Sequence, residues 1–178
     1  IGLGDLSSRT DLPLLSEHNE TNIRGLYIAG ELGGLALIRN AINQGRQVVE
    51  NIAAGQRGRV TDGNRDIIIV GAGPAGLSAA MAAKQNELSC LVIDQQGAGG
   101  TILQYPRKKL VMTQPVEIPL YGWLDRPEYS KEELLEIWDF IRHKYAIDLK
   151  SGEKMINVKY DNGKFDVETD IGLYSANN

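Results

Sequence analysis

Four consecutive β-branched residues, Ile67-Ile-Ile-Val70, stand between a polar stretch and a glycine-rich one. With no polar position in the run, the pattern predicts a strand buried on both faces. Small residues from Pro74 to about Gln85 predict a close-packing helix, and the fixed φ of Pro74 suits its first turn. Leu91 to Ile93 predicts a second buried strand, ending in Asp94. Upstream, Leu26 to Ala29 is a short apolar run that predicts another buried strand. Leu35, Ile38, Ala41, Ile42, Val48, Val49 and Ile52 then recur at helical spacing over about Leu35 to Ala53, with Gly55 as a stop. Residues 1 to 22 are polar and turn-rich and predict a loop, and 57–65 predicts an exposed linker.

Downstream of Asp94 the chain leaves through Gly97-Ala-Gly-Gly-Thr101 and passes Pro106, Pro115, Pro119 and Pro127. That much proline excludes a helix or a central strand. Ser130-Lys-Glu-Glu133 is a capping box. The helix it opens carries Leu134, Ile137, Trp138, Ile141 and Tyr145 on one face. A third short strand is expected at Ile147 to Leu149, joined to the second by a right-handed crossover. Met155 to Tyr160, Lys164 to Thr169 and Leu173 to Ala176 alternate apolar and polar, and Asp161-Asn-Gly163 is a hairpin turn. Three antiparallel strands are therefore expected after the parallel ones.

Composition narrows the partners. A formal charge of −4 over 178 residues leaves no basic patch, so nucleic acid is not expected. No apolar run reaches membrane-spanning length and no signal-peptide pattern opens the chain, so a cytoplasmic location away from membranes is the expectation. The single cysteine, Cys90, lies inside an apolar strand and reads as a small buried hydrophobe. His18 and His143 have no neighbouring ligand set, so no metal site is expected. Arg107, Lys108, Lys109 and Arg126 read as solvated. Trp138 reads as core, whereas Trp123 beside Tyr121 is a candidate to cover a cofactor or meet a partner.

The chemistry sits at Gly71-Ala-Gly-Pro-Ala-Gly76. The three glycines hold the G-x-G-x-x-G spacing between a predicted strand and a predicted helix. Gly71 permits the tight turn, Gly73 admits a pyrophosphate to the backbone, and Gly76 lets helix lie close on strand. The helix N-terminus then faces the phosphates with free N–H groups and the positive end of its dipole. Asp94 stands about 20 residues on, where a carboxylate accepts hydrogen bonds from a ribose hydroxyl. Dinucleotide binding follows, and the rest of the chain must say which dinucleotide.

The order of parts resembles the FAD-binding domain of thioredoxin-reductase-like FAD/NAD(P)-dependent oxidoreductases, nearest to their bacillithiol-disulfide-reductase-like branch. Gly71 to Gly76 matches the first motif. Gly100-Thr101-Ile102 and Tyr105-Pro106 match the loop running past the flavin. Asn162-Gly163-Lys-Phe165 falls in the antiparallel excursion, and Tyr27-Ile-Ala-Gly30-Glu31 with Ile38 to Gly45 resembles the closing flavin motif. The resemblance implies an α/β, Rossmann-like FAD-binding fold with a parallel sheet, helices and a three-stranded antiparallel excursion. It implies that Gly71, Gly73, Pro74, Ala75 and Gly76 hold the FAD pyrophosphate, Asp94 the adenosine ribose, and the backbone at Met155 the adenine. Gly100 and Thr101 would line the ribityl and isoalloxazine region, Gly30 and Glu31 the ribityl–phosphate end. The turn near Leu37 would aim N–H groups at the flavin pyrimidine edge.

This chain departs from the family pattern in particulars. It has Gly30-Glu31 where Gly-Asp is usual, and Ala75 where the named branch tends to carry a cysteine. The Gly30-Glu31 segment precedes the first motif instead of closing the module. The expectation is therefore a fragment in three parts: 1–56 as the closing segment of a FAD-binding module, 57–65 as linker, and 66–178 as the N-terminal part of such a module. Either a cut from a tandem protein or a permuted domain would give that order, and the tandem cut is preferred. An Ala-Thr-Gly strand is expected to follow Asn178.

The leading functional expectation is a FAD-binding module of an oxidoreductase that accepts hydride from NAD(P)H, the donor docking through a domain absent from this chain. The alternative is a non-catalytic dinucleotide-binding or assembly module, homodimeric or joined to a partner through 97–128. A third reading, NAD(H) at 66–94, is opposed by the Gly30-Glu31 motif and the antiparallel excursion. No catalytic side chain is assigned.

Overall fold

The computed structural model describes residues 14–30, 38–56 and 64–178. Strand β1 (Ile67–Val70) leads through the glycine turn into helix α2 (Pro74–Gln85) and back along β2 (Cys90–Asp94). β1 and β2 run parallel, Ile67 opposite Cys90 and Val70 opposite Ile93. β7 (Leu149–Ser151) joins the far side of β2, giving the order β1-β2-β7. Leu91, Val92 and Ile93 are sealed from solvent, as a strand covered on both faces must be.

Two layers do the covering. On one face lies an antiparallel sheet of β8 (Met155–Asp161), β9 (Lys164–Thr169) and β10 (Leu173–Ala176), in the order β10-β9-β8. Val167 and Tyr174 pack from it onto Leu91, Ile93 and Ile68. The β8–β9 turn places Asn162 at φ 50° and Gly163 at φ 79°, the paired left-handed residues of a tight two-residue hairpin. On the other face, helix α1 (Ile38–Gln56) lies across α2, burying Val48, Val49 and Ile52 against Ile67, Ala79, Ala82 and Ala83. Helix α3 (Lys131–Lys144) closes a larger core in which Leu134, Trp138 and Ile141 meet Ile42, Leu77, Met81 and Ile102.

Two sequence expectations need correction. Leu26 to Ala29 is extended and half-buried but forms no buried strand, its one bridge pairing Tyr27 with Glu20. A slot lined by Leu26, Tyr27, Ala29 and Ile67 to Val70 separates it from β1. The third parallel strand begins at Leu149, not Ile147. Ala146 turns with φ 47° at the end of α3, and the Ile147 N–H still donates to the Arg142 carbonyl, so the chain extends two residues late. The proline-rich stretch, with neither an α-helix nor a central strand, folds into two small ribbons, β3 (Leu110–Met112) with β6 (Glu128–Ser130) and β4 (Val116–Ile118) with β5 (Gly122–Leu124). Each ribbon has only two strands, so its prolines never face a central ladder. Residues 35–37 of the first predicted helix lie outside the described residues.

Candidate functional site

The turn from β1 to α2 is built by backbone. Gly71 sits at φ +107°, a conformation side chains disfavour. A Cβ on Gly76 would lie 1.9 Å from the Gly71 carbonyl oxygen, so the helix can pass this close to the strand only with hydrogen at that position. Gly73 is different. It is extended, with φ −75°, and a Cβ there would meet nothing within 4 Å. Gly73 thus keeps a space open instead of relieving strain. Helix α2 starts at Pro74 with no side chain capping it. The N–H groups of Ala75 and Gly76 find no carbonyl within the helix, and the positive dipole end faces outward.

That space is one end of an open recess of about 350 Å³. Gly30, Gly71, Gly73, Pro74, Ala75, Gly76, Asp94, Gly100 and Thr101 all line it. Glu31 and Leu37 lie outside the described residues. The Gly30 wall is locked to the turn. Gln44 Oε1 accepts from the Gly30 N–H at 2.8 Å, and Cβ atoms on Gly30 and Gly45 would lie 3.2 Å and 2.0 Å from Ala75 atoms. The opposite wall is the 3-10 turn Gly100–Gln104, held where the Gly99 N–H donates to the Ala72 carbonyl at 2.8 Å. Gly100 must be glycine, since a Cβ would lie 2.9 Å from the Gly73 Cα. Gln95, Gln96, Gln104 and Tyr105 add polar groups to the lining.

Asp94 is more occupied than the sequence suggests. Its Oδ2 accepts from the Ala72 N–H at 2.7 Å, and its Oδ1 from the N–H groups of Gln96 and Gly97 at 2.6 and 2.7 Å. A carboxylate has about four acceptor positions, so about one remains for a ligand hydroxyl. The short aspartate thus ties both glycine loops together at the mouth of the recess. Met155 lies in a second recess of about 240 Å³ with Glu153, Lys154 and Ile93. The two recesses share Val70, Gly71, Asp94 and Gln95, so Asp94 stands at their junction.

Other singled-out residues stand elsewhere. Trp123 is 61% exposed on β5 and does not line the recess. His18 pairs with Glu17, and His143 with Asp139 on α3. Burial pushes the Cys90 thiol up to about 12, so it stays protonated at neutral pH. Among the described residues no cluster of three or more histidine, cysteine or acidic side chains could hold a metal. No described helix is long and apolar enough to cross a membrane. Sequence reasoning missed Gln44 and Glu153. Gln44 has a readable trace, a glutamine beside a glycine within an apolar helix pattern, whereas Glu153 sits in a polar run with nothing to single it out.

Residues 68–178, more than half of the chain, match the family described as pyridine nucleotide-disulphide oxidoreductase. A ferredoxin–NADP reductase from Paraburkholderia phymatum is 33% identical over 113 residues, covering 62% of this chain and 29% of the relative. A bacillithiol disulfide reductase from Staphylococcus aureus superimposes with a TM-score of 0.56 at 22% identity, over 64% of this chain and 36% of that one. A ferredoxin-flavin thioredoxin reductase from Clostridium acetobutylicum gives a TM-score of 0.50 at 25% identity, over 64% and 35%. The chain thus spans about a third of the length of the proteins it matches. Its fold is the Rossmann-like α/β fold of these neighbours.

Proposed function

The chain belongs to the pyridine nucleotide-disulphide oxidoreductase family, and from that premise we propose that it is a FAD-binding module of an oxidoreductase reduced by NAD(P)H. The observation that carries the reading is Gly73, a glycine required by neither backbone nor packing, opening space at an uncapped helix N-terminus. A diphosphate fits that arrangement, because it needs close backbone approach, free N–H groups and positive potential together. Gly71, Gly73, Pro74, Ala75 and Gly76 hold the pyrophosphate, and the remaining acceptor position of Asp94 takes a ribose hydroxyl. The backbone at Met155 meets the adenine in the second recess. Gly100, Thr101 and Gly30 line the flavin half. Bound FAD supplies hydride acceptance and onward electron transfer, while this chain binds and orients it. The NAD(P)H donor docks through a part of the protein beyond these residues, in a cytoplasmic setting. Residues 1–56 act as the closing segment of the module, 57–65 as linker and 66–178 as its first part.

The test is reconstitution with FAD followed by absorbance of the bound flavin, with NAD⁺ titrated in parallel. Gly73→Ala is the discriminating variant. It is expected to fold with an unchanged thermal midpoint, since its φ is ordinary and its Cβ meets nothing, while FAD affinity falls by about ten- to a hundredfold. Absence of bound flavin in the parent chain, or full affinity in the variant, would overturn the reading.

A second reading has its own observation. Leu120, Trp123 and Phe140 are each 46% or more exposed, and Tyr121 packs edge-on against Phe140, gathering an apolar surface away from the recess. A non-catalytic assembly module that homodimerises through this surface would present it. Steady NAD(P)H oxidation by the chain with FAD counts against that reading.

A further inference from the structure

Glu153 is 4% exposed, and a carboxylate is buried at large cost unless its oxygens are hydrogen-bonded. Here Oε1 is: Thr169 Oγ1 donates to it at 2.5 Å. Thr169 is itself fixed, its hydroxyl oxygen accepting from the N–H groups of Gly172 and Ile171 at 2.9 and 3.3 Å. Main-chain bonds pin the same segment from both sides. The N–H groups of Gly152 and Glu153 donate to the Asp94 carbonyl at 2.8 and 3.3 Å. Lys154 N–H donates to Asp170 Oδ1 at 2.9 Å, and the Asp170 N–H returns a bond to the Lys154 carbonyl at 3.0 Å. Glu153 therefore lies in a short segment that joins Asp94 of the parallel sheet to the β9–β10 turn, and it lines the second recess with Met155.

We infer that Glu153 is a positioning residue that fixes the backbone of Lys154 and Met155 at the rim of the second recess and thereby sets affinity for the adenosine half of the dinucleotide. The inference rests on the functional reading above and adds a residue to it. Glu153 does not border the larger recess around Gly73 and Thr101, so its influence is confined to one half of the ligand. Loss of the carboxylate leaves the Thr169 hydroxyl only the Gly172 carbonyl, at 3.1 Å, as acceptor and loosens the tie between the segment and β9.

The experiment compares the full chain with Glu153→Ala, Glu153→Gln and Thr169→Val, measuring dissociation constants for FAD and for FMN by flavin fluorescence. FMN carries the flavin half without adenosine. Glu153→Ala is expected to weaken FAD about tenfold and FMN less than about twofold. Glu153→Gln keeps an oxygen acceptor for Thr169 and is expected to recover most of the FAD affinity, with Thr169→Val falling between. Parallel loss of FAD and FMN would assign Glu153 a merely structural role and overturn the inference, as would unchanged FAD affinity. A parent chain that binds FMN but gains nothing from the adenosine half also overturns it. A parent chain that binds neither flavin removes the functional reading itself, a result distinct from these.

Discussion

Glycines of the same motif do different work, and the difference is measurable. Gly76 and Gly45 are packing glycines, their absent Cβ atoms lying 1.9 Å from the Gly71 carbonyl oxygen and 2.0 Å from the Ala75 carbonyl oxygen. Neither neighbour is a flexible side-chain end, so backbone must move. Gly76→Ala and Gly45→Ala are each expected to destabilise the chain by about 3 kcal/mol in urea denaturation. Gly55→Ala is the control, because its Cβ meets nothing within 4 Å and alanine favours helix, so it stabilises by up to about 1 kcal/mol. A loss below about 0.5 kcal/mol at Gly76 would mean that helix and strand separate more easily than the close approach implies. The sequence showed where these glycines stand, since G-x-G-x-x-G is a local pattern. The motif named a separate role for Gly73 and Gly76, but not how closely Gly76 is packed, because strain and space depend on what the turn folds back upon. Asp94 shows the same limit: its position was readable, but its three backbone donors became visible only with both glycine loops in place.

Elements were legible where their signals are local. The capping box of α3 is one such case: Ser130 Oγ accepts from the Glu133 N–H at 3.2 Å and Glu133 Oε2 accepts from the Ser130 N–H at 2.7 Å. Leu26 to Ala29 is the opposite case, because whether an apolar run becomes a strand depends on a partner edge, and here the slot beside β1 intervenes. The capping box also predicts a pH dependence. The Ser130 backbone N–H, then Arg126 and the Ser130 hydroxyl, hold the Glu133 carboxyl down at about 2, from an ordinary 4.5. A depressed carboxylate contributes stability that is present above its unfolded value and is lost as pH falls through the folded one. The contribution is therefore complete above about pH 4.5 and gone below about pH 2. Glu133→Gln keeps the box but not the charge. Its stability deficit relative to the parent, read from denaturation midpoints, is expected to shrink steadily across that window. A deficit constant from neutral pH to about pH 2 would show that the carboxylate charge contributes nothing.

At the scale of the molecule, the question is whether residues 14–56 and 64–178 form one body. The contacts between them are core contacts. Val49 and Ile52 are 1% and 4% exposed against Ile67 and the alanines of α2, and the Ser78 hydroxyl donates to the Ile42 carbonyl at 2.8 Å. Gly30, Ile38 and Ala41 also form one wall of the recess that 64–178 opens at Gly73. Segment order could be read as unusual from the sequence, but not its consequence, because only the fold shows which face of α2 needs a cover. Residues 1–56 and 64–178 produced as separate chains in one cell are therefore expected to purify together and bind FAD as a pair. Val49→Asp places an uncompensated charge in the α1–α2 contact, at roughly 3–5 kcal/mol, and is expected to break the pair. With the wall gone, 64–178 alone should bind FAD more weakly than the pair, since the flavin half loses Gly30 and the surfaces of Ile38 and Ala41 while the phosphate turn is unchanged. Size-exclusion chromatography with flavin absorbance reads both outcomes at once. A soluble, monomeric 64–178 with the affinity of the whole chain would show that the phosphate turn and the second recess suffice, and that the wall of Gly30, Ile38 and Ala41 adds no binding energy.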